Sequence, residues 1–187
     1  MNEPIDPTEA REAEQLADVF TRIFQRNMTE RLLEADSVAD VTPVQLQALA
    51  FLGDHGTCSV RAIGEGLRIS FPAATRLVDR LVRKCLVSRR ENPHDRRLAD
   101  VSLTAEGAGL LRRVREERTA LVGRALSRLS AGERRRLMED LKAFIRAALQ
   151  SEEDALEVCQ RCGIRHTDAC VVNQAYQAFA GSGIPKP

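Results

Sequence analysis

The sequence contains no long hydrophobic run. No stretch approaches the roughly 18 consecutive apolar residues that would cross a membrane, and the first residues are acidic, unlike a signal peptide. A cytoplasmic protein without a membrane partner is therefore expected. There is no glycine-rich phosphate loop, and no Ser-His-Asp grouping can be argued from spacing, so nothing points to an enzyme. Net charge is small as well, with 28 Lys and Arg against 27 Asp and Glu for a balance of +1. An ordinary 43% apolar content over 187 residues suffices for one substantial core, or one domain with an appendage.

The most telling residues lie at the centre. Ser59 can cap a short helix whose Val60, Ile63 and Leu67 keep helical spacing. Gly64 and Gly66 weaken that helix, and nothing local explains either. Ile69 is an apolar anchor in a turn. Ser70 then caps a second helix, with Pro72 harmless in its first turn. There Ala74, Leu77, Val78 and Leu81 form one face that should pack on the domain, while Thr75, Arg76, Asp79 and Arg80 point elsewhere. A face bearing Thr and two Arg suits phosphates and base edges. Two β-type runs follow, 87–91 and 99–103, joined by the polar loop Asn92-Pro93-His94-Asp95-Arg96-Arg97. Two helices, a tight turn and a basic β-ribbon are the parts of a winged helix-turn-helix, which sets one helix in the major groove with a wing beside it.

Charge supports that use. Between Arg76 and Arg97 stand eight Arg or Lys against three acids, a local +5 in a chain of +1. Such a patch attracts the phosphate backbone, with affinity that falls as salt rises. Asp95 is unexpected at the tip, and its sensible role is to hold a guanidinium through charge-assisted hydrogen bonds. The alternative is a winged helix used for protein contacts, which the concentrated charge disfavours.

Residues 42–111 resemble the MarR family of bacterial transcription regulators. The resemblance rests on Thr42-Pro43-Val-Gln45-Leu46-Gln-Ala-Leu49, on Ser70-Phe-Pro-Ala-Ala-Thr75-Arg76-Leu77-Val78-Asp79-Arg80-Leu81, on Asp95-Arg96-Arg97, and on Val101-Ser-Leu-Thr104-Ala-Glu-Gly107 at matching spacing. It implies a symmetric homodimer on a pseudo-palindromic double-stranded operator, expected to be a repressor. It also implies wing arginines in the minor groove, Arg97 foremost, with Asp95 positioning it. The expected DNA-binding set is Ser70, Phe71, Ala73, Thr75, Arg76, Arg80, Asp95, Arg96 and Arg97. One departure is Cys85, where the family usually has Gly; Gly suits a left-handed helix end, so Cys85 should be strained or differently capped. In many MarR-like proteins a small aromatic or phenolic ligand binds between helical body and winged domain, and such a ligand is one candidate signal.

Outside this block the chain reads as long helices. The first, 8–35, carries Leu16, Val19, Phe20, Ile23, Phe24, Met28 and Leu32 at helical spacing. Residues 1–36 hold nine acids and four bases, so this helix should lie away from DNA. Thr42 and Pro43 start a helix ending near Gly53. Thr104 caps a helix over 104–127, with Gly107 and Gly123 as tolerated breaks, and Ser130 caps another over 131–150. Helices 8–35, 104–127 and 131–150 carry more apolar surface than a small winged domain covers. Burial against a second copy is the simplest solution; folding back on a monomer is the alternative. The expected fold is mainly α, a winged helix-turn-helix (42–103) with a small β-hairpin wing and a helical dimerisation domain, together filling 1–150.

Residues 151–187 fall outside the resemblance. There Cys159, Cys162, His166 and Cys170 follow the spacing Cys-x2-Cys-x3-His-x3-Cys. Three thiolates and an imidazole make a tetrahedral set suited to Zn2+. Gly163 permits a tight bend, and helical spacing would put His166 and Cys170 on one face. Arg161 and Arg165 could partly offset the negative charge of a Cys3His zinc site. An iron–sulfur cluster is the main rival, and a metal-free thiol redox switch is the next. A protein-interaction module with a zinc-stabilised tail also stays open. A zinc enzyme would need an open coordination position and a general base; His166 in the set argues for a closed site, and no His-x-Glu motif precedes it. Cys58 and Cys85 read as structural, and His55 and His94 as loop residues. Val172, Tyr176 and Phe179 should dock a last helix, one bearing Cys170, on the body.

Overall fold

The computed structural model describes residues 4–25, 41–91, 99–161, 167 and 169–184. Among these the order is α1 (Pro7–Gln25), α2 (Pro43–His55), β1 (Cys58–Ser59), α3 (Val60–Leu67), α4 (Phe71–Arg83), β2 (Val87–Glu91), β3 (Ala99–Leu103), α5 (Ala105–Leu126), α6 (Ala131–Ala148), α7 (Glu152–Arg161) and α8 (Val171–Ala180). The fold is mainly α with, among the described residues, one small antiparallel sheet, as expected. The expected first helix is described as far as Gln25; its residues 26–35 lie outside the described residues.

Helix starts follow capping chemistry. The Thr42 hydroxyl accepts the Gln45 amide at 3.4 Å while Gln45 Oε1 accepts the Thr42 amide at 3.1 Å, a reciprocal capping box. Ser59 and Thr104 accept from the amides of Ala62 and Gly107, and Ser130 with Glu133 forms a second capping box. His55, expected in a loop, instead closes α2 and stacks on Phe51 with ring centroids 4.1 Å apart.

The sheet has the order β1-β3-β2. Val87 lies opposite Leu103 and Glu91 opposite Ala99, the expected hairpin. The two-residue β1 pairs Cys58 with Val101 and Ser59 with Asp100; it is too short to announce itself by alternation. It makes β3 the central strand and leaves Val101 fully buried. One core gathers Leu49, Ile63, Leu77, Val78, Leu81 and Val101 from α2, α3, α4 and β3.

Two glycine expectations need correction. Gly66 is not an unexplained weakness: a Cβ there would run into the Phe51 ring of α2. Gly107 is not a tolerated break either, because a Cβ there would strike the carbonyl of Leu86. Both mark places where two elements approach closer than a side chain permits.

Helix α4 ends as its sequence foreshadows. The Leu86 amide reaches back to the Leu81 carbonyl at 3.0 Å and the Cys85 amide to Val82 at 2.9 Å, the paired bonds of a Schellman ending. That ending needs a left-handed residue, and Cys85 takes it with φ +57. The Thr104 hydroxyl donates to the Cys85 carbonyl at 2.7 Å and holds the bend.

A second apolar cluster lies in the C-terminal segment, where Leu149, Ala155, Val172, Ala175 and Tyr176 are buried together. α7 and α8 thus pack on each other and on the end of α6. Val172 and Tyr176 dock as expected, but Phe179, one turn further along the same stripe, stays 46% exposed.

An L-residue in the left-handed region carries steric strain that Gly lacks. Cys85→Gly should therefore stabilise the fold by about 0.5–1 kcal/mol, read as a higher urea midpoint at unchanged slope. A lower midpoint would contradict this account of the bend.

Candidate nucleic-acid interface

α4 is two-sided. Ala74, Leu77, Val78 and Leu81 are buried as expected, which turns Arg76, Arg80 and Arg83 outward. With Asp79 these arginines line a shallow surface groove of about 400 Å³. The Arg80 Nε donates to the Arg76 carbonyl at 3.2 Å, laying one guanidinium along the helix. Asp79 accepts from Arg89 of β2 at 3.2 Å and so ties the helix to the base of the wing. No spacing rule reveals this link, because the two residues stand on different elements. At the other end, the Lys84 ammonium donates to Gln45 Oε1 at 3.2 Å, joining the helix exit to the α2 cap.

The start of α4 differs from expectation in one respect. Ser70 occupies the N-cap, but its hydroxyl makes no capping hydrogen bond. Phe71, the first helical residue, is 59% exposed. Ala73 is half-buried, and Thr75, also half-buried, donates its hydroxyl to the Phe71 carbonyl at 3.0 Å. The wing strands are present, with a Ser88–Ser102 hydroxyl contact of 2.9 Å across them. Asp95, Arg96 and Arg97 at the tip lie outside the described residues.

Residues 39–98 match the MarR family. The chain is 40% identical over 111 residues to the HTH-type transcriptional repressor MdtR of Bacillus subtilis, spanning 59% of this chain and 71% of that protein. The chain belongs to the MarR family. This MarR-family protein is also 27% identical over 152 residues to the HTH-type transcriptional repressor NicR of Pseudomonas putida, covering 81% of this chain and 93% of that one. Among solved structures, the YusO protein from Bacillus subtilis matches with a TM-score of 0.66 and 32% identity, covering 76% of this chain and 99% of that chain. The winged helix-turn-helix is therefore that of a MarR-family transcriptional regulator, not of an enzyme. Among the described residues no helix is long and apolar enough to cross a membrane.

Two further features of this MarR-family chain lie away from the exposed face of α4. A cleft of about 630 Å³ opens between the end of α2, β3 and α5, with Gly53, Leu103 and Leu111 on its apolar side and Arg112, Arg115 and Glu116 at its rim. Arg115 bonds Asp54 at 2.7 Å and ties α5 to α2 beside it. In the C-terminal segment, Cys159 on α7 and Cys170 both border the second apolar cluster. Cys162 and His166 lie outside the described residues. Cys170 is the N-cap of α8, its amide closing a turn onto Thr167 at 3.0 Å. This corrects the expectation that a helix carries Cys170 one turn beyond His166; residues 167, 169 and 170 are not helical. Among the described residues no three Cys, His, Asp or Glu side chains gather as a metal site. Cys58 is half-buried on β1, and burial pushes its thiol above the ordinary range, as suits a structural cysteine.

The two N-caps should behave differently. Ser59→Ala removes a made cap and should cost about 1 kcal/mol of stability. Ser70→Ala removes a hydroxyl that caps nothing and should cost less than about 0.5 kcal/mol, both read by urea denaturation. Equal losses would contradict the assignment of Ser70 as an unengaged hydroxyl.

Proposed function

We propose that this protein is a repressor that binds a pseudo-palindromic double-stranded DNA operator as a homodimer in the cytoplasm. The observation that carries the reading is α4, with its apolar face sunk in the core, its arginines outward and its flank bridged to a basic wing. Ser70, Phe71, Ala73, Thr75, Arg76 and Arg80 face the major groove, where hydroxyl, methyl and guanidinium groups read base edges and phosphates. Asp95, Arg96 and Arg97 form the wing tip in the minor groove, with Asp95 orienting Arg97. Repression is supported by the names of the relatives MdtR and NicR.

Dimerisation is supported by unburied apolar surface. Leu16, Val19, Phe20 and Ile23 of α1 are half or more exposed, and α6 buries no residue while exposing Leu137, Met138 and Phe144. A second copy covering these faces sets two recognition helices one DNA turn apart, about 34 Å. Residues 1–150 then form the dimeric winged-helix body and 151–187 an extension. A signal acts by favouring one packing of the dimer helices over another. Its candidates are a small aromatic ligand in the cleft beside α5, or a change of state in the extension. There Cys159, Cys162, His166 and Cys170 form a Cys3His set for Zn2+, supported by the donor chemistry and by Cys159 and Cys170 bordering one apolar cluster.

Fluorescence anisotropy on a duplex selected from a random library tests the DNA reading. Binding should weaken steeply with salt, and Arg97→Ala should lower affinity by about tenfold and reduce the salt slope by about 1. A variant that matches the parent at every salt concentration removes Arg97 from the interface. Elemental analysis with an absorption spectrum, on protein purified without oxygen, tests the metal. About one zinc per chain and no colour is expected. Iron with sulfide and a brown colour would replace zinc by a cluster, and absence of metal would leave only thiol chemistry.

A further inference from the structure

Among the described residues, the extension meets the DNA-binding module at a charged pair. Glu157 of α7 pairs with the guanidinium of Arg68. Arg68 is the left-handed residue, φ +50 and ψ +45, that ends α3 inside the helix-turn-helix turn, two positions before Ser70. α7 also packs against α3 directly. This helix is strongly acidic, carrying Glu152, Glu153, Asp154 and Glu157 against the single Arg161.

Its position is fixed from behind. Ala155 is fully buried in the second apolar cluster, beside Val172 and Tyr176 of α8 and Leu149 at the end of α6. The Tyr176 hydroxyl donates to Glu152 at 2.7 Å, and the Asp154 carboxylate accepts the Gln150 amide at 3.1 Å. Glu157 therefore meets Arg68 from an anchored helix, and the pair forgoes part of the entropy cost that weakens mobile surface ion pairs. A cation beside the start of a recognition helix is well placed to neutralise a phosphate. Held by Glu157, it does not do so, and the neighbouring carboxylates repel the backbone.

We infer that the C-terminal extension is an electrostatic brake on operator binding, in which Glu157 withholds Arg68 from the DNA backbone. The inference rests on the DNA-binding reading above. It gives the extension a function whether or not its cysteines hold a metal, and releasing α7 would switch Arg68 from an internal partner to a phosphate.

Binding of the 187-residue protein to its selected duplex and to a scrambled duplex of equal length, across a salt series, tests this. Glu157→Gln should tighten binding to both by up to about fivefold at low salt and steepen the salt slope by about 0.9, one added phosphate contact. The gain should shrink at high salt and vanish when Arg68→Gln is added. Glu157→Lys should bind at least as tightly as Glu157→Gln, with all variants matched for thermal unfolding. Unchanged or weaker binding by Glu157→Gln, or a gain that survives loss of Arg68, overturns the brake and makes the contact structural. If the parent protein binds neither duplex even at low salt, the DNA-binding reading fails and the brake with it. That result is distinct from one in which only Glu157 is inert.

Discussion

The reversal of the chain after the recognition helix sets the geometry on which this DNA-binding module depends. Within three residues of Arg83 the backbone closes a Schellman ending, passes through a left-handed Cys85 and delivers Leu86 to the core. The Leu86 carbonyl then accepts the Thr104 amide at 3.1 Å and lies against Gly107. One short segment therefore fixes recognition helix, wing and the long helix α5 relative to each other. A side chain at Gly107 would push α5 away, and another ending for α4 would send the wing elsewhere. The angle at which helix and wing meet a duplex follows from this joint more than from any residue that would touch DNA.

Charge is arranged around that joint by segregation. Basic residues gather on the exposed face of α4 and on the hairpin, while the N-terminal region and α7 are acidic. A balance of +1 thus conceals a strong internal field. Segregated charge steers a polyanion to one face, and the same separation lets an acidic helix placed beside that face oppose it. The Arg68–Glu157 pair joins acidic α7 to the turn that leads into α4. The second apolar cluster fixes this meeting point, because it holds α7 against α6 and α8 rather than leaving a solvated tail.

Much of the fold was legible in order. Caps at Thr42, Ser59, Thr104 and Ser130 act on amides three residues away, so each helix start could be read from a few neighbours. The apolar stripe of α4 and the two hairpin strands were equally local. The strand Cys58–Ser59 was not, since two residues carry no periodicity and owe their state to the partner β3. Cys85 was legible as a left-handed position only through the family resemblance, and its hydrogen bonds explain why that conformation is required. The candidate interface was legible by residue type, yet Asp79 emerged as a bridge to Arg89 and the Thr75 hydroxyl as a partner of its own helix. In the extension, cysteine spacing gave a chemical set but no backbone, and Cys170 proved to be a cap rather than a helical residue.

The sequence by itself determined where the helices capped by Thr42, Ser59, Thr104 and Ser130 begin, which face of α4 is apolar, where positive charge concentrates and which family the chain resembles. All of these depend on residues within a turn or two of each other. Only the tertiary structure decided why Gly66 and Gly107 must lack a side chain, that β3 is the central strand, and that an acidic C-terminal helix lies on the helix-turn-helix. Those outcomes come from packing between distant segments. The free energy of such contacts depends on which surfaces the core brings together, and no local pattern encodes that.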